Sequence, residues 1–148
     1  MNRNNSINID GIWNAVITIL AESDLSTENK SLKEAFIVFQ YYSELESGGH
    51  ESLFTWFESY IEEVGIDNYL KELIDILERI GAHEYATIEK KYGQEMWKLY
   101  VALGNGEIEE DELYGVIEKA DDEYYKLKQN LEGLLEVYFI TIYEEIVD

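Results

Sequence analysis

Apolar residues recur every three or four positions along most of the chain, a spacing that places them on one face of a helix. In the first such run the apolar positions are Ile12, Trp13, Val16, Ile17 and Leu20. No segment alternates apolar and polar residues as a half-buried strand does. The pattern predicts an all-α fold of about seven helices, near residues 10–21, 31–46, 53–64, 69–80, 82–103, 109–119 and 122–147.

Glycines mark the ends of several predicted helices, and the chain contains no proline. Gly48 and Gly49 separate the second helix from the third, so we interpret them as a sharp structural turn. Gly81 ends the fourth helix in the way that helices commonly stop. Gly93 and Asn130 mark two further expected interruptions, inside the fifth and the last helix.

The start of the second helix carries a capping signal. Ser31 and Glu34 have the three-residue spacing of a capping box, in which each side chain bonds the other residue's backbone N–H. We therefore expect this helix to begin at or just before Ser31.

The length of 148 residues fits one compact domain spanning residues 1–148, and a chain of that size can bury a complete core. With 46% hydrophobic residues, the composition is far from that of a disordered chain despite a net charge of -21. We therefore expect the charge to lie on a folded surface.

This negative charge limits the classes of ligand. Thirty-two acidic residues against eleven basic ones argue against direct binding of nucleic acid or anionic lipid, both of which require a positive surface. A basic protein surface is the complementary partner. There is no cysteine, and the start, "MNRNNSINIDGIW", has no signal-peptide pattern. No apolar run is long enough to cross a membrane, and we expect a cytoplasmic protein.

One segment partly matches a calcium-binding loop. In "NGEIEEDEL", residues 105–113, Gly106 and Glu112 occupy the positions of the sharp turn and of the bidentate ligand in an EF-hand. Val101 and Leu103 stand where the first two carboxylate ligands belong. The alternative interpretation is a turn followed by an acidic helix start, which suits the helix dipole.

The two histidines do not complete a recognised site. His83-Glu84 opens a zinc-protease pattern, but Thr87 replaces its second histidine. His50 follows the two glycines, where no lysine or arginine is near to hold a phosphate. We expect both histidines to lie at helix ends, as caps or exposed to solvent. No catalytic residue, metal ligand or cofactor is assigned, and an enzyme is not supported.

The acidic residues themselves are the candidate binding site. Residues 34–70 contain eight acids and neither lysine nor arginine. A second acidic cluster follows at residues 107–112. The predicted partner-binding residues are Glu44, Glu46, Glu51, Glu58, Glu62, Glu63, Asp67, Glu107, Glu109, Glu110, Asp111 and Glu112.

The spacing of these charges can be compared with that of DNA. Glu58 and Glu62 lie about 6 Å apart along a helix axis, whereas each DNA strand carries one charge per about 3.4 Å. Several elements must therefore combine to imitate DNA, and Asp121, Asp122 and Glu123 are further candidates. We consider Tyr41, Tyr42 and Tyr60 as exposed anchors for a partner, or alternatively as core residues.

Three motifs resemble the bacterial DNA-mimic protein family, whose core domain is otherwise of unknown function. The first is the glycine turn, residues 47–50, followed by the aromatic helix at 53–57. The second is "LERIGAHEYATIEK", residues 77–90, and the third is "ADDEYYKL" followed by "LEGLLEVYFITIYEEI". The order of the motifs agrees over residues 31–146. Ser47 and His50 stand where the family has asparagine and phenylalanine.

The resemblance implies an all-helical fold, a homodimer, and a role as a decoy that occupies a DNA-binding protein's basic surface. The charge points to the same kind of partner independently. Our leading hypothesis is an acidic, non-enzymatic binding protein that acts as a DNA mimic. The alternatives are an immunity or anti-defence protein that blocks a nuclease, and a small-molecule enzyme or metal protein that uses His50 and His83.

Overall fold

A computed structural model describes residues 9–127 and 130–146, which form six helices. They are α1 Ile9–Ala21, α2 Lys30–Val64, α3 Ile66–Arg79, α4 His83–Gly104, α5 Glu110–Lys126 and α6 Leu131–Ile146. No strand occurs in the described ranges, so the predicted all-α class is confirmed. Within those ranges no helix has both the length and the apolar character needed to span a membrane.

The predicted break at Gly48 and Gly49 interrupts α2. Gly48 has φ -159° and ψ 16°, and Gly49 has φ 73° and ψ -161°, so neither residue is helical. The positive φ of Gly49 combined with its extended ψ lies in a region that is essentially restricted to glycine. α2 therefore consists of two helical halves, before and after this break, and counting them separately restores the seven predicted helices.

Other helix ends agree with the sequence only in part. Gly81, with φ 92°, follows the end of α3, and the Ala82 N–H donates to the Leu77 carbonyl, as predicted for a glycine stop. The predicted capping box is wrong, because the side chain of Asn29 caps α2 by accepting from the Leu32 N–H. Ser31 lies inside the helix, and its hydroxyl donates to Glu145 instead.

Two predicted interruptions are also revised. α4 is continuous through Gly93, where an added Cβ would lie 2.8 Å from a methyl carbon of Leu70, so this glycine permits close packing of α3 on α4. α5 continues past Lys119 to Lys126, whereas the sequence pattern had predicted a helix end at Lys119. The break near Asn130 is confirmed, because α6 begins at Leu131.

The long helix α2 forms the centre of the fold, packing against α1, α3, α5 and α6. α3 also packs on α4, α4 on α5, and α1 on α6. Aromatic side chains fill much of the core, and the largest fully buried ones are Tyr41, Tyr69, Phe54, Phe57 and Phe139. This arrangement leaves one side of each half of α2 at the surface, where its glutamates lie.

Candidate functional site

The structure places nearly all the predicted acidic residues at the surface. Glu44 is half-buried, and the others are exposed, both in α2–α3 and at the α4–α5 turn. The second group begins α5, whose first turn contains Glu110, Asp111 and Glu112. Negative side chains at this end are stabilised by the helix dipole. Gly106 has φ 74° and forms a turn before this acidic helix start. The interpretation of residues 105–113 as a turn followed by an acidic helix start is therefore confirmed.

None of the predicted partner-binding acids forms an ion pair with a lysine or arginine of the described residues. The five Lys or Arg ion pairs there use Glu34, Glu72, Asp75, Glu78 and Glu123. Each predicted carboxylate thus lacks a cationic partner in the described part of the chain. An unneutralised surface of this kind attracts a basic partner at low ionic strength.

Tyrosine hydroxyls orient several of these carboxylates without neutralising them. Tyr124 donates to Glu46 at 2.8 Å, and Tyr114 donates to Glu51 at 2.8 Å. The hydrogen bond with Glu51 raises the pKa of the Tyr114 hydroxyl, which therefore stays neutral. Two turns after Glu51 on α2, Glu58 accepts a hydrogen bond from the Tyr100 hydroxyl of α4 at 3.3 Å. These bonds fix the carboxylates in position and leave their charge available.

Three of the glutamates line one groove between helices. Glu51, Glu58 and Glu62 from the second half of α2 face Tyr100 near the end of α4, with Leu113 of α5 at the floor. The groove encloses about 350 Å³. The bond from Tyr114 to Glu51 connects it to the acidic start of α5. The structure therefore brings three glutamates of the first predicted series together; we call the surface formed by Glu51, Glu58 and Glu62 the acidic groove.

Some predicted residues do not belong to this groove. Glu63 is exposed beyond its lining, and Asp67 accepts a hydrogen bond from Gln94 on α4. Asp121 turns towards the interior, and Glu123 pairs with Lys91, so these two do not add to the free acidic surface. Asp122 remains exposed.

The prediction that Tyr41, Tyr42 and Tyr60 are exposed anchors for a partner is wrong. Tyr41 is fully buried, Tyr60 is buried and Tyr42 is half-buried, because their ring positions face the core between helices. For Tyr41 and Tyr60 the alternative interpretation as core residues holds. The exposed aromatic residues are Trp56 at 43%, Tyr114 at 38% and Tyr125 at 56% exposure.

A buried polar cluster lies directly under the break in α2. His50 is fully buried, so the expectation of an exposed or capping histidine is wrong. Its Nδ1 lies 2.6 Å from Asp121 Oδ1 on α5, and its Nε2 lies 2.6 Å from Glu89 Oε2 on α4. Glu89 is also fully buried and accepts a hydrogen bond from the Tyr41 hydroxyl at 3.3 Å. We call His50, Glu89 and Asp121 the buried triad.

The charge state of His50 follows from these neighbours. Burial favours the neutral ring, but Glu89 and Asp121 outweigh it through charge attraction and hydrogen bonds, and together they raise the pKa of His50 to about 9. At neutral pH His50 is therefore an imidazolium ion between two carboxylates. The His50 backbone N–H also donates to Asp121 at 3.0 Å.

Gly49 makes this arrangement possible. A Cβ at residue 49 would lie 2.3 Å from Asp121 Oδ2, closer than any non-bonded contact allows. The glycine thus serves both the backbone turn and the close approach of the Asp121 carboxylate.

This triad was not predicted from the sequence, although one feature of the sequence pointed to a buried glutamate. Tyr85, Glu89, Tyr92 and Met96 follow helical spacing, and all four are buried. A glutamate in such an apolar stripe predicts a buried partner of opposite charge, because an unpaired buried carboxylate is costly. The identity of that partner was not readable, since His50 is 39 residues away.

The two histidines do not form a common site. His83 is exposed at the first position of α4, as expected for a residue at a helix end. It lies six residues before Glu89, about 9 Å along the axis and about 120° around it. Among residues 9–127 and 130–146, no group of three or more histidines and acids is arranged to hold a metal ion. His50 is fully buried and His83 is exposed, so the two side chains do not face one site.

The fold and the acidic groove define a class: an all-helical domain with a groove whose carboxylates form no ion pair with a lysine or arginine in the part of the chain that the structure describes. The family model described as DMP19-like protein matches residues 26–142, and the chain belongs to this family. The match agrees with the resemblance found over residues 31–146. No curated protein and no solved structure matches the chain.

Proposed function

We propose that this chain is a non-enzymatic binding protein whose acidic groove occupies the basic surface of a DNA-binding protein in place of DNA. The observation that carries the proposal is that Glu51, Glu58 and Glu62 line one groove and have no Lys or Arg partner within residues 9–127 and 130–146. Acidic residues that served only solubility would not need to include three unpaired carboxylates in one concave surface. Membership of the DMP19-like family supports the same function.

The geometry suits recognition of cationic side chains. Glu51 and Glu58 are held by Tyr114 and Tyr100, so little side-chain entropy is lost when a partner binds. Trp56 lies next to Glu51 along a second depression and offers an aromatic face for an arginine. Attraction of this kind speeds association and weakens as salt screens it.

The test is capture of partners on the immobilised protein from an extract of the organism that encodes it. We expect DNA-binding proteins to be retained at low salt and released by added salt or by duplex DNA. The variant E51Q/E58Q/E62Q removes three charges from the groove and should lose the captured proteins.

The matched control is E22Q/E28Q/E144Q, which removes the same number of charges from exposed positions outside the groove. It should retain the partner. Equal loss in both variants would indicate a uniform charge effect and contradict a specific surface. Retention of proteins that do not bind DNA, or capture that is unchanged at high salt, would overturn the proposal.

A further inference from the structure

The acidic surface is divided by the break in α2. Glu44 and Glu46 belong to the first half of the helix, and the groove residues Glu51, Glu58 and Glu62 belong to the second half. Two helical segments joined at non-helical glycines have no fixed mutual angle of their own. The relative position of these carboxylates therefore depends on contacts from other helices.

α5 makes those contacts on both sides of the break. Tyr125 donates to the Leu45 carbonyl at 2.6 Å and Tyr124 donates to Glu46, both before the break. Asp121 accepts from His50 and Tyr114 donates to Glu51, both after it. One rigid helix thus spans the two halves of α2.

His50 connects its own helix to two others through hydrogen bonds of a single side chain. Its ring joins Asp121 on α5 to Glu89 on α4, so both neighbours are tied to the first residue of the second half. The other titratable groups that face this cluster are Tyr41 of α2 and Tyr69 of α3, next to Glu89, and Tyr125 of α5, next to Asp121. Burial raises the pKa of all three hydroxyls, so they remain neutral at pH 7.

We propose that His50, in its charged form, is a positioning residue that fixes the angle at the break and thereby aligns the carboxylates on the two halves of α2. Its importance for binding rests on the proposed function. When the ring loses its proton, one of its two hydrogen bonds to a carboxylate is lost, because neutral imidazole has a single donor. The second half of α2 is then released from α4 or from α5.

The alignment can be measured in the free protein. The chain has no cysteine, so K30C/S59C places two spin labels on exposed positions of α2, one on each side of the break. We expect one narrow distance distribution at pH 7 and a broader or shifted one at pH 10. The midpoint should coincide with the titration of the His50 ring followed by NMR in the same protein.

Two variants complete this test. H50Q should show the broad distribution already at pH 7 with no change up to pH 10, and H83Q should behave like the parent. A distribution that stays narrow while NMR shows a neutral His50 would overturn the proposal. If H50Q does not fold, the pH titration of the parent protein decides the question.

Binding of a nona-arginine peptide at pH 7 supplies a second readout. H50Q removes a positive charge, so charge alone would strengthen binding of this cationic probe. Misalignment of the carboxylates predicts the opposite, several-fold weaker binding than the parent and H83Q. Equal or tighter binding by H50Q would contradict the alignment. Absence of binding by the parent would count against the proposed function, while the spin-label distances still decide the role of His50.

Discussion

Raising the pH from 6.5 to 9 should destabilise the protein through His50 alone. The pKa of this residue rises from its ordinary 6.5 to about 9 in the folded protein, because two carboxylates hold the imidazolium. A folded-state pKa above the unfolded value means that the stabilisation is complete below about pH 6.5 and is lost as the pH rises through about 9. In that window the folded chain binds one more proton than the unfolded chain.

The magnitude follows from linkage. At about 1.36 kcal/mol for each pKa unit, a rise from 6.5 to about 9 corresponds to roughly 3 kcal/mol. Because typical domains are stable by only about 5–15 kcal/mol, such a loss would be readily detected. The free energy of unfolding should fall by up to about 1.4 kcal/mol per pH unit between these values.

The assay is urea denaturation followed by tryptophan fluorescence, at constant ionic strength and at intervals from pH 6 to 9.5. Urea is preferred to guanidinium because it leaves the ionic strength of this highly charged protein unchanged. H83Q should retain the slope, since His83 is exposed, and H50Q should lose it. A free energy of unfolding that is independent of pH in the parent protein would refute the charged triad.

Three further predictions concern single positions. G49A should lower the free energy of unfolding by at least about 2 kcal/mol, because alanine is strained in the backbone conformation of residue 49 and its Cβ would clash with Asp121. The control G115A adds a Cβ in open space on α5 and should raise the free energy of unfolding by about 0.5–1 kcal/mol. Urea titration measures both values. E89Q should lower the free energy of unfolding by about 1.5–3 kcal/mol, because it removes one charge-assisted hydrogen bond of His50, which keeps its bond to Asp121, and the exposed E95Q should have no effect; equal effects in thermal melts of the two variants would contradict the buried pair. Y138F should be neutral or stabilising by about 1 kcal/mol, because the buried Tyr138 hydroxyl has no hydrogen-bond partner among the described residues; clear destabilisation would reveal a partner.

The helices were largely predictable because their signal is local. Apolar spacing and glycine positions located α1, the two halves of α2, α3 and the stop at Gly81. The end of α5 was not predictable in the same way, because Asp121 and Asp122 resemble a helix start when read alone. In the structure the preceding Ala120 is buried and Asp121 faces His50. These tertiary contacts stabilise a helix that continues to Lys126.

The candidate site was predictable in its residues but not in its arrangement. The absence of lysine and arginine between residues 34 and 70 pointed to the unpaired glutamates, except that Glu34 of this segment pairs with Arg79 from outside it. Which of them share a surface depends on how α4 and α5 pack against α2, and that is decided by contacts between residues far apart in sequence. The triad shows the same limit, since His50 and Asp121 are 71 residues apart.

The contact between Gly49 and Asp121 also gives a rule for comparing sequences. A relative whose break is held by the same triad needs glycine at the position of Gly49 and a histidine directly after it. It also needs a glutamate 39 residues and an aspartate 71 residues beyond that histidine, allowing for loop insertions. Replacing His50 leaves the buried Glu89 without its charged partner, so we expect these positions to change together. A sequence with the glycines but an aromatic residue in place of His50 should have apolar residues at both distant positions, and its break would then be held by packing alone.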